Sequence, residues 1–187
     1  MDLQRLVILF PLVALLAWAA VVDVRCRRVP NWLTFALVLS GIAQSLTAWR
    51  SVTLGQSLAG LAVGFALPLV VYILGGMGAA DVKLLAGVGS WLGPKTVLLV
   101  FAAAAVVGLV IILVQCLIQG KIMSLLRNTG GLIVNLLHVR HVGAREIVRS
   151  GKDFKSIDRP LPYAVHVLIG TIGVMISPLV SGKGSLP

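Results

Sequence analysis

Long apolar stretches separated by short polar segments run along most of the chain. The five longest apolar runs cover about residues 5–22, 32–49, 54–74, 95–118 and 161–180. A helix rises about 1.5 Å per residue, so about 20 apolar residues cross the roughly 30 Å hydrocarbon layer of a bilayer. The pattern therefore predicts an all-α, polytopic integral membrane protein.

A sixth and shorter apolar segment lies at about residues 82–92, between the glycine-rich stretch GGMGAAD and the dipeptide Gly93-Pro94. It is too short to span a membrane alone. We predict either a short tilted helix or a partial helix buried among the others, which brings the total to about six transmembrane helices. In the third run, Gly60 and Gly64 have the small-xxx-small spacing that lets membrane helices approach closely.

Composition agrees with a membrane location. Of the 187 residues, 58% are hydrophobic and only 12% are charged, and the mean hydropathy is +1.02. Soluble domains carry about 25% charged residues, and a soluble fold of this size has too little interior to hide so much apolar surface. We expect residues 1–187 to form a single membrane domain within the lipid bilayer.

The charges are strongly unbalanced, with sixteen Lys and Arg against six acidic residues. The basic residues cluster in the polar loops, which indicates that those loops stay in the cytoplasm. An outside N-terminus and six crossings place the clusters at 25–28, near 83 and at 121–159 on that side. The segment at about 119–160 is predicted as a basic cytoplasmic loop that attaches to the membrane surface. No nucleic-acid partner is expected, because no basic stripe carries interleaved aromatic residues.

Two acidic residues stand out because they border apolar segments. Asp23 lies at the end of the first run and Asp81 lies just after the third, so the topology places both at the same membrane depth. A charged side chain within a membrane helix costs about 2.5–3.5 kcal/mol on insertion scales, which makes each a candidate functional residue. The other acidic residues are terminal or lie in the basic loop and are interpreted as solvated charges: Asp2, Glu146, Asp153 and Asp158.

Each of these aspartates also has a purely structural interpretation. Asp81 suits the N-cap of a helix beginning at Val82, and Asp23 suits an ion pair with Arg25 or Arg27. The second interpretation is the weaker one, because a carboxylate near a helix C-terminus opposes the helix macrodipole.

As a functional pair, the two aspartates would support a specific chemistry. Two carboxylates held together in a low-dielectric site cannot both ionise easily, so the pKa of one of them rises strongly. The ionised partner takes a proton from water while the protonated partner hydrogen-bonds the scissile carbonyl, which is acid–base peptide hydrolysis without a covalent intermediate. Glycines beside Asp81 would let a substrate backbone approach closely.

Other catalytic or metal-binding sets are weak. The chain has no GxSxG or HExxH motif. His138 and His141 lie three apart in a basic loop without a nearby carboxylate cluster, and Cys26 and Cys116 form no CxxC pair. We therefore expect no metal, no cofactor and no disulfide framework, and we interpret His166 as a packing or interface residue.

The polar turns beside the two aspartates contain further residues of interest. Pro30 disfavours helix at the preceding residue, and Asn31 is predicted as the N-cap of the second helix. Lys83 is interpreted as a partner of Asp81 or as a contact for lipid phosphates, and assistance to the aspartate pair is a third interpretation.

The stretch DVRCRRVPN, followed by GGMGAADVKLLAGVGSWLGP, resembles the two signatures of the type IV prepilin peptidases, membrane aspartic peptidases of the GxGD class. The resemblance covers about residues 20–94, and LPYAVHV resembles the start of the last helix in that family. It implies that Asp23 and Asp81 are the catalytic aspartates. The motif positions that support it are Gly75, Gly76, Gly78, Ala80, Lys83, Pro30 and Asn31.

One position departs from the class motif, because Ala80 stands where the motif has its second glycine. Alanine adds a methyl group and disfavours positive φ. If this position needed unusual backbone angles, activity or substrate choice would change. We expect an active enzyme.

The resemblance further implies a substrate and a location. The substrate would be a prepilin, cut at the cytoplasmic face of the inner membrane after its short basic leader. The chain passes from DVRCRRVPN directly into its second apolar run, like the short family form of tight-adherence (Flp-type) pili or archaeal preflagellin peptidases, which implies leader removal without N-methylation. The alternative is a non-enzymatic membrane subunit or small ion-coupled transporter with Asp81 as ion or proton ligand. Nothing in the sequence indicates the oligomeric state.

Overall fold

The computed structural model describes residues 3–47, 52–74, 76–120 and 162–180. These residues form helices and no strand, as the apolar pattern predicts. The helices are α1 (Leu3–Cys26), α2 (Asn31–Ser45), α3 (Leu54–Ile73), α4 (Ala79–Ile118) and α5 (Tyr163–Val180).

The described helices include three that are long and apolar enough to cross a membrane: Leu9–Cys26, Leu54–Ile73 and Ala79–Ile118. A shorter apolar helix covers Tyr163–Ile176. An integral membrane protein is therefore supported, while the number of six crossings stays a prediction. Most of the basic segment at about 119–160, with His138 and His141, lies outside the described residues.

Helix α4 is bent sharply at Gly93, which has φ 80° and ψ 175° and precedes Pro94. A Cβ placed on Gly64 of α3 would contact both the carbonyl of Leu85 and, at 3.2 Å, the side chain of Val97. Twelve residues of straight helix would separate those two positions by about 18 Å. The two arms of α4, residues 79–92 and 94–118, therefore fold back on each other, and the predicted break at Gly93-Pro94 is confirmed.

The first arm of α4 is a short helix buried among the others. This agrees with the second of the two sequence interpretations, a partial helix buried among the others. All residues from 84 to 93 are buried. The indole N–H of Trp91 donates to the carbonyl of Leu37 in α2 at 3.0 Å. The predicted close approach is also present, because a Cβ on Gly60 would overlap the carbonyl oxygen of Gly89.

One sequence prediction about α2 is wrong. The N-cap is Pro30 and no side chain caps this end, so Asn31 is already the first helical residue. The helix ends at Ser45, within the apolar run at about 32–49. The hydroxyls of Ser45 and Thr47 donate to carbonyls three residues earlier, at 2.6 and 2.8 Å, and such local hydrogen bonds compete with continuation of a helix.

The last helix, α5, packs against both α1 and α4. On the α4 side, a Cβ on Gly170 would lie 2.9 Å from the backbone nitrogen of Ala104. The hydrophobic core includes Leu12 and Leu16 of α1 and Val167 of α5. This packing brings the end of α1 and the starts of α4 and α5 together.

Candidate active site

Asp23 lies in the last turn of α1 and is buried, with 8% of its surface exposed. Its carboxylate oxygen Oδ2 accepts a hydrogen bond from the backbone N–H of Ala164 at 3.3 Å. Ala164 lies in the first turn of α5, where backbone N–H groups have no partner within the helix. The positive end of α5 therefore offsets the unfavourable position of Asp23 at the negative end of α1.

Asp81 lies in the first turn of α4, and its carboxylate is held by the N-cap residue. The backbone N–H of Gly78 donates to Oδ2 of Asp81 at 3.1 Å. A negative charge in a first turn is favoured by the helix dipole. The helix begins at Ala79 rather than Val82, so Asp81 is the third helical residue and not the N-cap that the sequence suggested.

The two aspartates line one cavity of about 260 Å³ between α1, α4 and α5. They are close enough for their charges to interact. Both therefore face a common space although they belong to different helices. The other residues that line this cavity are Arg27, Arg28, Val29, Gly78, Ala80, Pro162 and Tyr163.

The turn after α1 brings two arginines to the same cavity. Arg27 has φ 51°, in the left-handed region, which costs roughly 1–2 kcal/mol for a residue other than glycine. Its backbone N–H donates to the carbonyl oxygen of Asp23 at 2.8 Å, which closes the helix. Arg27 also interacts with the charge of Asp23, so its positive charge partly balances that carboxylate.

The other predicted motif residues differ in whether they line a cavity near the aspartates. Gly78 and Ala80 line the cavity of the aspartates. Gly76 lines a second cavity, which is described below, and Gly75 lies outside the described residues. Lys83 is exposed and donates from Nζ to Oδ1 of Asn31 at 3.0 Å. The contact of Lys83 is thus with the first residue of α2.

The alanine that departs from the class motif has an ordinary conformation. Ala80 is helical, and Arg27 is the only non-glycine residue with positive φ in the described part of the chain. The extra methyl group therefore imposes no backbone strain. Gly78 is the more constrained position, because a Cβ there would lie 3.0 Å from Oδ2 of Asp81.

A second cavity of about 520 Å³ adjoins the first, and Asp81, Gly78 and Tyr163 line both. Its walls come from the turn before α4, the second arm of α4 and the start of α5. His166 lines it as well, so this residue has a cavity position that the packing interpretation missed. The signal in the sequence is the i, i+3 spacing of Tyr163 and His166, which places both on one helix face.

Within the described residues, no group of three or more His, Cys, Asp or Glu side chains could hold a metal ion. Cys26 and Cys116 are free thiols. The charged and hydroxyl side chains that line the cavity of about 260 Å³ are Asp23, Asp81, Arg27, Arg28 and Tyr163.

Comparison with known proteins identifies a family. A model of the type IV leader peptidase family matches residues 10–113 of the chain, which is more than half of it and includes both aspartates. Searches of curated proteins and of solved structures found no match.

Proposed function

Because the chain belongs to the type IV leader peptidase family, we propose that it is an aspartic endopeptidase that removes the short basic leader of prepilins with Asp23, Asp81 and water. Membership of this family supports a leader peptidase activity for the chain. The observation that carries the catalytic assignment is the common cavity onto which α1 and α4 direct the two carboxylates.

The proposed reaction is direct attack of water on the scissile carbonyl carbon. The ionised carboxylate removes a proton from the water as the new C–O bond forms, and the protonated carboxylate donates to the carbonyl oxygen. The tetrahedral intermediate then collapses with rupture of the C–N bond, and the amine leaves with a proton from the pair. A cavity of about 260 Å³ has room for a water molecule, which occupies about 30 Å³ in the liquid, beside a peptide segment.

The surroundings of the aspartates support a cytoplasmic active site at the inner membrane. Arg27 and Arg28 line the same cavity as Asp23 and Asp81, and Arg residues beside membrane segments are enriched on the cytoplasmic side. The proposed enzyme therefore meets a prepilin where its leader meets the head-group region. The direct passage from the Arg27–Pro30 turn into α2 supports the short family form, which would remove the leader without N-methylation.

The test is cleavage of a purified prepilin by the detergent-solubilised protein. Mass spectrometry should find two products whose masses sum to the prepilin plus one water, with the cut after the basic leader. Asp81→Asn, purified and assayed in parallel, should yield neither product. A transporter or non-enzymatic subunit would give no products with either protein, and ion-dependent uptake into proteoliposomes would then support that alternative.

A further inference from the structure

The start of α5 presents two polar side chains to the 520 Å³ cavity. Tyr163 and His166 both line it, and their rings make an edge-to-face contact with centroids 5.7 Å apart. Gly108 lies opposite on the second arm of α4, where a Cβ would stand 3.5 Å from Nδ1 of His166. The imidazole is thus held between Tyr163 and the backbone of α4.

Two buried atoms of these side chains have no hydrogen-bond partner among the described residues. They are the hydroxyl oxygen of Tyr163 and Nε2 of His166, and His166 is only 6% exposed. Buried polar side-chain atoms are nearly always hydrogen-bonded, because an unpaired one costs free energy. Two such atoms without hydrogen-bond partners, on residues that line one cavity, therefore point to a ligand that supplies those partners.

The rest of this cavity is apolar and partly built from small residues. Such walls suit the apolar side chains of a membrane segment, and small residues let its backbone come close. Asp81 and Gly78 line this cavity and also the one that holds both aspartates, so a peptide chain that occupies both must pass Asp81. The apolar and small wall residues are Met77, Ala104, Ala105, Gly108, Leu109, Ile111 and Ile112.

We propose that this cavity binds the apolar part of the substrate beside the cleavage point in a locally unwound form, and that Tyr163 and His166 hydrogen-bond its backbone. The inference rests on the proposed peptidase function. An apolar substrate segment that is helical up to the cleavage point must unwind at its start for the scissile bond to reach the aspartates. An unwound backbone in an apolar environment exposes N–H and C=O groups that need partners. The tyrosine hydroxyl can donate to a carbonyl, and Nε2 donates or accepts according to its tautomer.

Steady-state kinetics of prepilin cleavage tests the inference, with Tyr163→Phe and His166→Phe as the principal variants. Each should raise KM roughly 3- to 10-fold, as expected for one lost hydrogen bond. The kcat of His166→Phe should stay near the wild-type value, because backbone binding acts equally on ground state and transition state. Tyr163 also lines the cavity of the two aspartates, so Tyr163→Phe tests the inference through its KM. The thermal stability of each variant without substrate should be unchanged or higher, since an unpaired buried polar atom is removed.

Conservative variants and controls separate binding from packing. His166→Gln puts an amide near the position of Nε2 and should restore much of the affinity, whereas His166→Asn puts it near Nδ1 and should not. Thr171→Val removes another buried unpaired hydroxyl of α5 that does not line the cavity, and Tyr72→Phe removes the hydroxyl of an exposed tyrosine of α3. Both controls should keep the wild-type KM.

The possible outcomes are distinct. No cleavage by the wild-type protein would overturn the proposed function and this inference with it. Cleavage by the wild type with an unchanged KM in Tyr163→Phe and His166→Phe would overturn this inference alone. A KM that rises equally in Thr171→Val would also overturn it, by showing a general disturbance of α5. If His166→Phe does not fold, the KM values of Tyr163→Phe and His166→Gln test the inference in its place.

Discussion

The carboxylate of Asp23 accepts a hydrogen bond from the backbone N–H of Ala164 at 3.3 Å, across 141 positions of sequence. This contact joins the last turn of α1 to the first turn of α5. Asp23 therefore stabilises the start of the helix that carries Tyr163 and His166 while it faces the cavity shared with Asp81. The proposed catalytic role and this structural contact reside in one side chain, and substitutions can separate them.

Asp23→Asn should keep the protein folded and remove cleavage, because the amide oxygen can still accept from Ala164 but cannot act as an acid or base. Asp23→Ala should also lose the contact, at a cost of about 0.5–2 kcal/mol in the free energy of unfolding, as for other lost helix caps. Thermal unfolding in detergent measures the difference between the two variants. Equal stability of Asn and Ala variants would show that the contact with Ala164 adds nothing.

Gly78→Ala should lower the cleavage rate roughly 10- to 100-fold, in the range seen for small misplacements of catalytic groups. The new methyl group would lie 3.0 Å from Oδ2 of Asp81 and would displace the carboxylate. Gly78 has φ −83°, so the alanine is compatible with the fold, and single-turnover kinetics on folded protein reports the effect.

Ala80→Gly recreates the second glycine of the GxGD motif and should not increase cleavage. Ala80 is already helical, so the glycine brings no needed freedom and should destabilise the helix by about 0.5–1 kcal/mol. Cleavage rate and unfolding temperature, measured on the same preparation, test both statements. A clear gain in rate would mean that the alanine restrains the site.

Lys83→Met should leave cleavage near the wild-type rate and lower stability by less than about 1 kcal/mol, the usual range for exposed polar contacts. Nζ of Lys83 contacts Oδ1 of Asn31 at 3.0 Å. Asn31→Ala should give the same small loss, and the double variant should lose no more than either single variant. A strong loss of cleavage in Lys83→Met with normal activity of Asn31→Ala would instead link Lys83 to the aspartates.

Gly60→Ala should destabilise the fold by about 1–3 kcal/mol, as overpacked sites do. A Cβ at this position would overlap the carbonyl of Gly89 and lie 2.8 Å from the backbone of Gly93. Gly55→Ala in the same helix is the matched control, because nothing lies within 4 Å of its Cβ. Unfolding curves that agree for the two variants would contradict the close α3–α4 packing.

Much of the fold follows from local sequence signals. The apolar run at about 54–74 matches α3 (Leu54–Ile73), and the Gly93-Pro94 dipeptide marks the bend of α4. These features depend on hydrophobic length and on backbone freedom, both of which are visible in a few neighbouring residues. The distribution of charged residues predicted that Asp23 and Asp81 lie at the same membrane depth, and in the structure both line one cavity. Their catalytic role stays a prediction.

The parts that the sequence did not predict depend on contacts between distant segments. The partner of Lys83 is 52 positions away and the donor to Asp23 is 141 positions away. Neither residue type nor spacing specifies such pairs. The cavity position of His166 likewise depends on how α5 lies against the second arm of α4, which local periodicity does not determine.

Single-turnover cleavage of a prepilin by Asp23→Asn, Asp81→Asn and the double variant tests the central claim most directly, with Asp153→Asn as the control for loss of an acidic residue. If the two carboxylates act as one unit, each single variant should lose at least about 1,000-fold in rate, and the double variant should be no slower. Thermal unfolding should show all four proteins folded, and Asp153→Asn should cleave at the wild-type rate. A folded Asp23→Asn or Asp81→Asn protein that cleaves near the wild-type rate would contradict the account.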